Sequence, residues 1–399
     1  MLAMEHEPTV AAVTSAVCTL FVTADSSERL AADKWLRDLR KQSGEAMWPI
    51  CRAIVQGDAA AAAVWQGDAG LAAAVRTFAA QAIREHGQKT RLPAGGDPSP
   101  FVAEVLGLCA AEAASLLAAG GGPQAASRAV LTQLCLAAAA AGIRALGWPA
   151  EETLDRLCGL LQGGGRAETA ALLELLRQLP EELTEKRLST APAQRKAVQA
   201  ALEQAAGAVS ESLASLVGPD GSGAGPVLAA WGGWLDAGLL PVAVVAGSPL
   251  LGMAIHSLAG GAGRWPAAAA VAADVVCTAS AMVVAGAGPP RPTAELVQAA
   301  ELLLPVLLEA APELCGALAA GQGGQEVARV LVAVGVAAAA AAPGSVWMGD
   351  GGLAAGGGAA GAACRSVVDC LTALMIGGEP DAAAITLDFW TALGAAAVR

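Results

Sequence analysis

The leucines of Ala167–Arg187 constrain the fold more than any other feature of this sequence. Leu172, Leu175, Leu176 and Leu179 recur at i, i+3, i+4 and i+7, a spacing that forms one apolar stripe on a helix. Such a stripe is stable in water only when a second apolar surface covers it. The sequence therefore predicts a fold in which helices pack on helices.

A proline follows this leucine stripe directly. Pro180 cannot continue a helix but suits the first turn of the next one. Glu181 and Glu182 come after it, and carboxylates favour a helix N-terminus. The stretch is therefore interpreted as a helix, a tight corner and a second helix. A chain that repeats this unit would be a solenoid, and solenoids function by binding.

The composition supports an all-α chain. About a quarter of the residues are alanine, which has the highest helix propensity. Aromatic residues make up 3% of the chain and tyrosine is absent, which excludes a large β-sandwich core. Helix-period stripes continue along the chain and give about sixteen helices, or roughly 48 residues per helix pair, close to the HEAT/armadillo period. The fold class expected is an α-solenoid of about eight HEAT-like pairs.

Acidic residues dominate the charge of the chain. The formal net charge is −12 and the pI is near 4.8, which argues against an electrostatic nucleic-acid interface. Residues 221–399 hold five arginines, no lysine and twelve acids, a net charge of 5 − 12 = −7. The first 220 residues hold nineteen basic and twenty-four acidic residues, a net charge of 19 − 24 = −5. An acidic surface in the second half would suit a basic protein partner, or it serves solubility alone.

Cysteine usage and hydropathy indicate a reduced protein outside the membrane. The nine cysteines form no C-x-x-C pair, and there are only three histidines, so neither a disulfide framework nor a metal site is expected. The first ten residues carry acids where a signal peptide needs positive charge. Val330–Gly349 and Ala237–Gly263 are uncharged, but prolines interrupt both, and no membrane insertion is expected.

Residue patterns for catalysis and cofactor binding are absent from the sequence. A Walker A loop needs a Gly-Lys pair, and the chain has none. The segment GSGAG at 221–225 follows a predicted helix rather than a strand, which removes its Rossmann context. His256 is a single histidine on an apolar helix, where a packed or hydrogen-bonded side chain is expected. We therefore expect no enzyme, no catalytic residue, no cofactor and no metal.

Several motifs, taken in order along the chain, resemble those of importin-β (karyopherin-β) nuclear transport receptors, and specifically the transportin-SR branch. The first lies in the N-terminal helices and the most specific one is LLELLRQLPEEL at 172–183. The matching pieces are Ala32-x-x-Trp35-Leu36-x-x-Leu39, Ala46-Met47-Trp48, Phe78-Ala79-Ala80-Gln81, Val130–Leu134, Gly147-Trp148-Pro149, Ala229–Pro241, Ala272–Ala279 and Asp388-Phe389-Trp390.

This resemblance implies a fold, partners and a cellular location. The fold would be a HEAT superhelix with importin-β N-terminal-like repeats over 1–92, exportin-like repeats over 93–260 and further repeats over 261–399. A Gly/Ala-rich loop at 349–361 is expected to be disordered. The partners would be Ran in its GTP form, Ser/Arg-rich splicing factors as import cargo, and nucleoporins. A shuttling receptor of this kind would occupy cytoplasm and nucleus.

The resemblance also suggests where Ran would bind. In the family, Ran contacts helices of the first repeats, and the basic position after the FAAQ motif is kept here as Arg84. A second basic position is occupied by His86. Both residues are candidates for Ran binding, and both could instead be solvated residues at a helix end. The leucine and aromatic motif residues are expected to be core residues.

Departures from the family leave a second interpretation open. Family receptors are more than twice as long, so the chain resembles their N-terminal portion, and the helix that recruits Ser/Arg-rich cargo would lie beyond Arg399. Pro305 and Pro312 occupy a predicted helix that they are expected to interrupt. An apolar stripe at the C-terminal end is expected to promote self-association. The alternative function is a Ran-independent helical-repeat scaffold, a truncated or decayed paralogue.

Overall fold

The computed structural model of the chain is all-α. Over the part that it describes, every regular element is a helix and no strand occurs. The helix class predicted from the leucine stripes is therefore confirmed. Contacts divide the chain into two compact units, Met1–Leu202 and Glu203–Arg399. The described residues are 8–42, 44–65, 67–89, 99–118, 125–144, 165–186, 188, 190–218, 221–259, 266–284, 294–320, 324–341, 366–373, 386, 387, 390 and 391.

The first unit begins with a short capped helix and a longer amphipathic one. Thr9 caps the first helix by accepting a hydrogen bond from the backbone N–H of Ala12. Asp25 caps the second, since its carboxylate accepts the N–H of Ser27 at 2.7 Å. The described helices of this unit are α1 Val10–Val22, α2 Ser26–Gln42, α3 Gly44–Val55, α4 Ala59–Trp65, α5 Ala69–Lys89, α6 Ser99–Ala118, α7 Ala125–Arg144 and α8 Arg166–Thr184.

Helix α5 lies at the centre of the contacts in this unit. It packs against α3 on one side and α7 on the other, and α7 then packs against α6 and α8. The approach of α5 to α7 is close because Gly87 has no side chain. A Cβ at Gly87 would lie 2.9 Å from the carbonyl oxygen of Ala137. Arg144 of α7 also donates to the carbonyl oxygen of Gly87 at 2.7 Å. The missing side chain at Gly87 and the hydrogen bond from Arg144 therefore hold α5 closely against α7.

The leucine stripe of α8 is buried as predicted, but the corner predicted at Pro180 is wrong. Helix α8 runs through Pro180 and ends at Thr184. Pro180 is itself buried, and packing of the leucines around it outweighs the backbone hydrogen bond that the proline removes. Glu182 is therefore inside the helix and fully buried, rather than a capping residue at a new N-terminus. All six leucines of the stretch are buried: Leu172, Leu173, Leu175, Leu176, Leu179 and Leu183.

The second unit is built from apolar helices that range from 6 to 26 residues. The helix that contains the boundary between the units is α9, Pro192–Ser215, and the helices after it belong to the second unit. Residues 366–373 are also helical. The helices after α9 are α10 Ala224–Asp236, α11 Val242–Gly247, α12 Pro249–Ala259, α13 Pro266–Val284, α14 Ala294–Ala319 and α15 Gly324–Ala341.

Two tryptophans and one alanine-rich helix form the core of the second unit. Trp231 and Trp234 of α10 are fully buried, as expected for motif residues, and Trp231 donates its ring N–H to Ser210 at 3.0 Å. Helix α13 packs against α10, α12, α14 and α15 through small side chains. Gly232 permits the contact with α13, since a Cβ there would lie 3.2 Å from Val275.

The prediction that Pro305 and Pro312 interrupt their helix is also wrong. Helix α14 runs without a break from Ala294 to Ala319 and contains both prolines. Pro305 and Pro312 are exposed and lie seven residues apart, whereas four leucines of the same helix are buried. The buried leucines are Leu303, Leu307, Leu308 and Leu314, so tertiary packing outweighs the local cost of the two prolines.

Two of the described helical stretches are long and apolar enough to cross a bilayer by length and composition. They are Pro100–Ala118 and Glu301–Ala319, which differ from the two stretches considered from the sequence. Both also pack against neighbouring helices of their own unit, as the core helices of a helical bundle do.

Some sequence predictions fall outside the described residues. These include the helix at Glu151–Leu161, the motif at Gly147-Trp148-Pro149, the loop at 349–361 and most of the helix at 381–398. The predicted domain limits at 92/93 and 260/261 also lie in ranges that are not described. Of the C-terminal stretch, Leu387 is described and is 63% exposed.

Candidate functional site

The two residues proposed to bind Ran lie in the C-terminal half of α5. The helix buries Val75, Ala79, Ala80 and Ile83, which recur on one face as helical periodicity requires. Arg84 lies next to this face, and its side chain is 19% exposed. His86 lies two residues further, on a different side of the helix. The site is thus built on a rigid helix rather than on a loop.

Arg84 forms an ion pair with α8. Its Nη2 donates to Oε2 of Glu182 at 2.7 Å, and its Nε donates to the same oxygen at 3.1 Å. Gln88, one turn after Arg84, donates to Oε1 of Glu182 at 2.6 Å. Both carboxylate oxygens of Glu182 therefore have partners from α5. A second carboxylate, Glu185, lies 3.7 Å from the Arg84 guanidinium and is 32% exposed.

Burial determines the chemistry of Glu182. Its side chain is 0% exposed, and removal from water raises the pKa of the carboxyl above its usual range. The hydrogen bond from Gln88 and the charge of Arg84 act in the opposite direction, since both stabilise the ionised form. A buried carboxylate with these partners holds α5 and α8 in one register.

His86 lies in an aromatic cluster. Its ring is stacked on that of Trp48 of α3 with centroids 6.3 Å apart, and it is 5.5 Å from the ring of Phe101 of α6. Trp48 and Phe101 are themselves 4.7 Å apart in a tilted arrangement. Rings at these distances contribute attraction beyond the area that they bury. His86 therefore joins three helices, and it is half-buried rather than a freely solvated helix end.

Further ion pairs extend from α5 to α2 and α6. Arg40 of α2 pairs with Glu85 at 3.1 Å, and its guanidinium lies 4.3 Å from the centre of the Phe78 ring. Arg76 of α5 pairs with Glu112 of α6, whose side chain is 2% exposed, and also donates to the carbonyl oxygen of Val55. Charged residues of α5 therefore contact the helices on both sides of it.

The contacts of Arg84 and His86 join neighbouring helices of the first unit. Among the described residues, no group of three or more His, Cys, Asp or Glu side chains is placed to hold a metal ion. His256, expected to be packed or hydrogen-bonded, is 52% exposed, and its Nδ1 lies 3.7 Å from Oε1 of Glu313. The side chains of Arg84 and Glu185 are 19% and 32% exposed, so each presents part of its surface to solvent.

Sequence reasoning located Arg84 and His86 but missed their partners. The sequence did contain a signal for Glu182, because it follows Leu175 and Leu179 at i+7 and i+3 on the same stripe. A carboxylate on an apolar stripe needs a cation or a hydrogen-bond donor from a neighbouring helix. The interpretation of Pro180 as a helix break concealed this signal. The motif leucines are buried as expected, whereas Trp35, Trp48 and Phe78 are only half-buried.

Comparison with known proteins adds no relative. No known family profile matches the chain, and no curated protein is significantly similar to it.

Proposed function

We propose that this protein is a helical-repeat nuclear import receptor of the importin-β type that binds Ran in its GTP form. The residue motifs that resemble the transportin-SR branch carry the receptor assignment. One observation of the fold supports the repeat architecture beneath it. Helices α3, α5, α7 and α8 contact one another in succession, which is the order that stacked helix pairs require. The finer description, a superhelix of HEAT-like pairs, is part of the proposal.

The cargo and pore contacts follow from the same resemblance. Ser/Arg-rich protein cargo is strongly basic when it is not phosphorylated, and the second half of this chain is acidic. Glu301, Glu309 and Glu313 are exposed along α14, where they would face a basic partner favourably. Nucleoporins are the third class of partner, as for any receptor that passes the pore. The receptor would shuttle between cytoplasm and nucleus.

A second function is favoured because both candidate Ran-binding residues already have partners within the chain. Arg84 is held by Glu182, and His86 is stacked on Trp48 and Phe101. If these interactions are the whole role of the two residues, the chain is a helical scaffold without dependence on Ran. The two functions differ in one measurable property, the effect of the Ran nucleotide on binding.

Capture on immobilised Ran tests the proposal. Ran loaded with a non-hydrolysable GTP analogue should retain the 399-residue chain better than Ran loaded with GDP. Equal capture in both nucleotide states, or none in either, would favour the scaffold. The preference is expected to be strongest at low ionic strength if charged residues contribute to it.

A charge-swapped variant separates contact from folding. Arg84→Glu alone would place two carboxylates together in a buried site and would disrupt the contact between α5 and α8. The double variant Arg84→Glu with Glu182→Arg keeps an ion pair between α5 and α8 while it reverses the charge at position 84. This variant should lose affinity for Ran-GTP but keep its helical circular dichroism. Arg37→Glu is the matched control, because Arg37 is 60% exposed and pairs only within α2.

A further inference from the structure

Two partly exposed cysteines of the second unit lie side by side. Cys315 is on α14, and Cys370 is in the helical segment 366–373. The Cys315 sulfur lies 3.5 Å from the carbonyl oxygen of Ser366, one helical turn before Cys370. The two thiol side chains also lie close enough to influence each other's ionisation. Both are free thiols of intermediate exposure, so a small molecule in solution can reach them.

The contact makes the two sulfurs unequal. When Cys370 is ionised, a hydrogen bond from the neighbouring Cys315 stabilises its thiolate, which lowers the pKa of Cys370 to about 7. The same contact and burial raise the pKa of Cys315. Only a thiolate attacks an oxidant at a useful rate. Cys370 is therefore the nucleophile of the pair, and Cys315 is placed to respond to what forms on it.

We propose that Cys315 and Cys370 form a redox-responsive dithiol, which a hydroperoxide converts into a disulfide between α14 and the segment 366–373. The Cys370 thiolate attacks the outer peroxide oxygen, the O–O bond breaks, and the leaving oxygen takes a proton to become water or an alcohol. Cys370 is then a sulfenic acid. The Cys315 sulfur attacks the sulfenic sulfur and loses its proton, and the S–O bond breaks to release water. The peroxide is reduced by two electrons and the two thiols are oxidised by two.

A second cysteine pair provides an internal contrast. The sulfurs of Cys109 in α6 and Cys135 in α7 are 3.8 Å apart, which is close enough for a disulfide to form between them. Both are fully buried, however, and burial raises the pKa of Cys135 well above its usual range. A neutral thiol without access to solvent does not react with peroxide. The two thiols therefore lie close together in both pairs. The pair Cys315 and Cys370 is in addition partly exposed, and the pKa of Cys370 is lowered.

A disulfide between Cys315 and Cys370 would attach the helical segment 366–373 covalently to α14. The disulfide would close a loop in which 370 − 315 − 1 = 54 residues separate the two cysteines. A cross-link over a loop of this length restricts the unfolded chain considerably. The oxidised protein should therefore unfold at a temperature higher by roughly 5–10 °C. The segment 366–373 already buries Val367 and Leu371, so the cross-link would lock a contact that exists in the reduced protein.

Peptide mapping after mild oxidation tests the proposal. The reduced full-length chain is treated with stoichiometric hydrogen peroxide at neutral pH, blocked with iodoacetamide and digested without reduction. Cleavage after Arg and Glu separates the relevant cysteines, because Glu326 lies between Cys315 and Cys364, and Arg365 lies between Cys364 and Cys370. The expected product is one cross-link that joins the peptides of Cys315 and Cys370, with a mass lower by two hydrogen atoms. A cross-link to Cys364 instead would overturn the proposal.

Two measurements establish the roles of the two sulfurs. With Cys315→Ser, a cyclic 1,3-dione should trap a sulfenic acid at Cys370, and with Cys370→Ser no adduct should form at Cys315. Cys277→Ser is the matched control and should leave the cross-link unchanged, because Cys277 is partly exposed and burial raises its pKa. In the unmodified protein, iodoacetamide should label Cys370 about five to ten times faster than Cys277. Equal labelling rates, or oxidation of Cys109 and Cys135 first, would contradict the proposal.

Discussion

The two units of this chain stabilise their helix contacts with different kinds of side chain. In the first unit, α5 is joined to α8 and α6 by ion pairs whose carboxylates, Glu182 and Glu112, are 0% and 2% exposed. In the second unit, the described ion pairs are His256–Glu313 and Arg329–Asp274, and all four side chains are at least 45% exposed. The second unit buries alanine, valine and two tryptophans between its helices.

This difference shows that one helix-on-helix arrangement can be specified in two ways. A buried ion pair adds little net stability, since desolvation offsets most of the attraction, but a wrong register leaves a charge without a partner. An apolar contact adds stability in proportion to the area buried, and register depends on shape. Nineteen of the twenty-four basic residues lie in the first 220 residues, so buried ion pairs can specify helix register mainly in that part of the chain.

The largest expected effect is at Trp231 in the second unit. Trp231→Ala removes a fully buried ring and its hydrogen bond to Ser210, and should lower the free energy of unfolding by about 4 kcal/mol. Trp231→Phe, which retains most of the apolar volume, should cost less than half as much. Urea denaturation followed by circular dichroism measures both values. Equal losses for the two variants would mean that the hydrogen bond, rather than the buried area, governs this core.

The next effect tests the buried charge of the first unit. Arg84→Met leaves Glu182 buried without its cation and should cost about 3 kcal/mol at neutral pH. The pKa of Glu182 is already raised by burial, and loss of Arg84 raises it further. A raised folded-state pKa means that stability is greatest below the ordinary pKa of glutamate and is lost as pH rises through the raised value. The deficit of Arg84→Met should therefore shrink at mildly acidic pH.

A double variant sharpens the same comparison. Arg84→Met with Glu182→Leu converts the contact of the first unit into the kind found in the second, and should recover most of the stability lost in the single variant. Arg37→Met is the control for loss of a cation, because the Arg37 side chain is 60% exposed and its removal should cost less than about 0.5 kcal/mol. A double variant no more stable than Arg84→Met would show that the ion pair is worth more than apolar packing here.

A smaller effect is expected at the α5–α7 contact. Gly87→Ala places a Cβ 2.9 Å from the backbone oxygen of Ala137, which must shift, and should destabilise the chain by about 1–2 kcal/mol. Gly107 of α6 is the matched control, since it is exposed in a helix and a Cβ there meets nothing within 4 Å. Gly107→Ala should stabilise by about 0.5–1 kcal/mol through helix propensity. Thermal unfolding of the two variants should therefore shift in opposite directions.

Periodicity and composition were enough to predict the all-α class and many helix positions. Helical periodicity predicts helices at Trp265–Val284 and Gln325–Ala342. They are observed at Pro266–Val284 and Gly324–Ala341. The short helices α4 and α11 were missed, because seven and six residues contain too few turns to show a stripe. The helix breaks predicted at Pro180, Pro305 and Pro312 were wrong. Burial of the surrounding leucines outweighs the low helix propensity of proline.

The partners within the site were beyond prediction for a different reason. Glu182 lies 98 residues from Arg84 in the sequence, and helical periodicity relates only residues of the same helix. The stacking of His86 on Trp48 and Phe101 likewise depends on three helices meeting. Sequence patterns can show that a helix has a charged residue beside its apolar face. Which residue of another helix pairs with it is decided by the packing of the whole unit.

The smallest effect expected is at the exposed pair of the second unit, Arg329 and Asp274. Their side chains are 45% and 65% exposed, and the Arg329 Nη2 lies 3.0 Å from Oδ1 of Asp274. Water screens such a pair, so a double-mutant cycle of Arg329→Ala and Asp274→Ala should give a coupling of about 0.2–0.5 kcal/mol. The coupling should fall towards zero in high salt, because the charges are accessible to ions. The same cycle for Arg84 and Glu182 should give a coupling several times larger that salt barely changes. If the two cycles give equal couplings with equal salt dependence, burial is not what distinguishes the charge pairs of the two units.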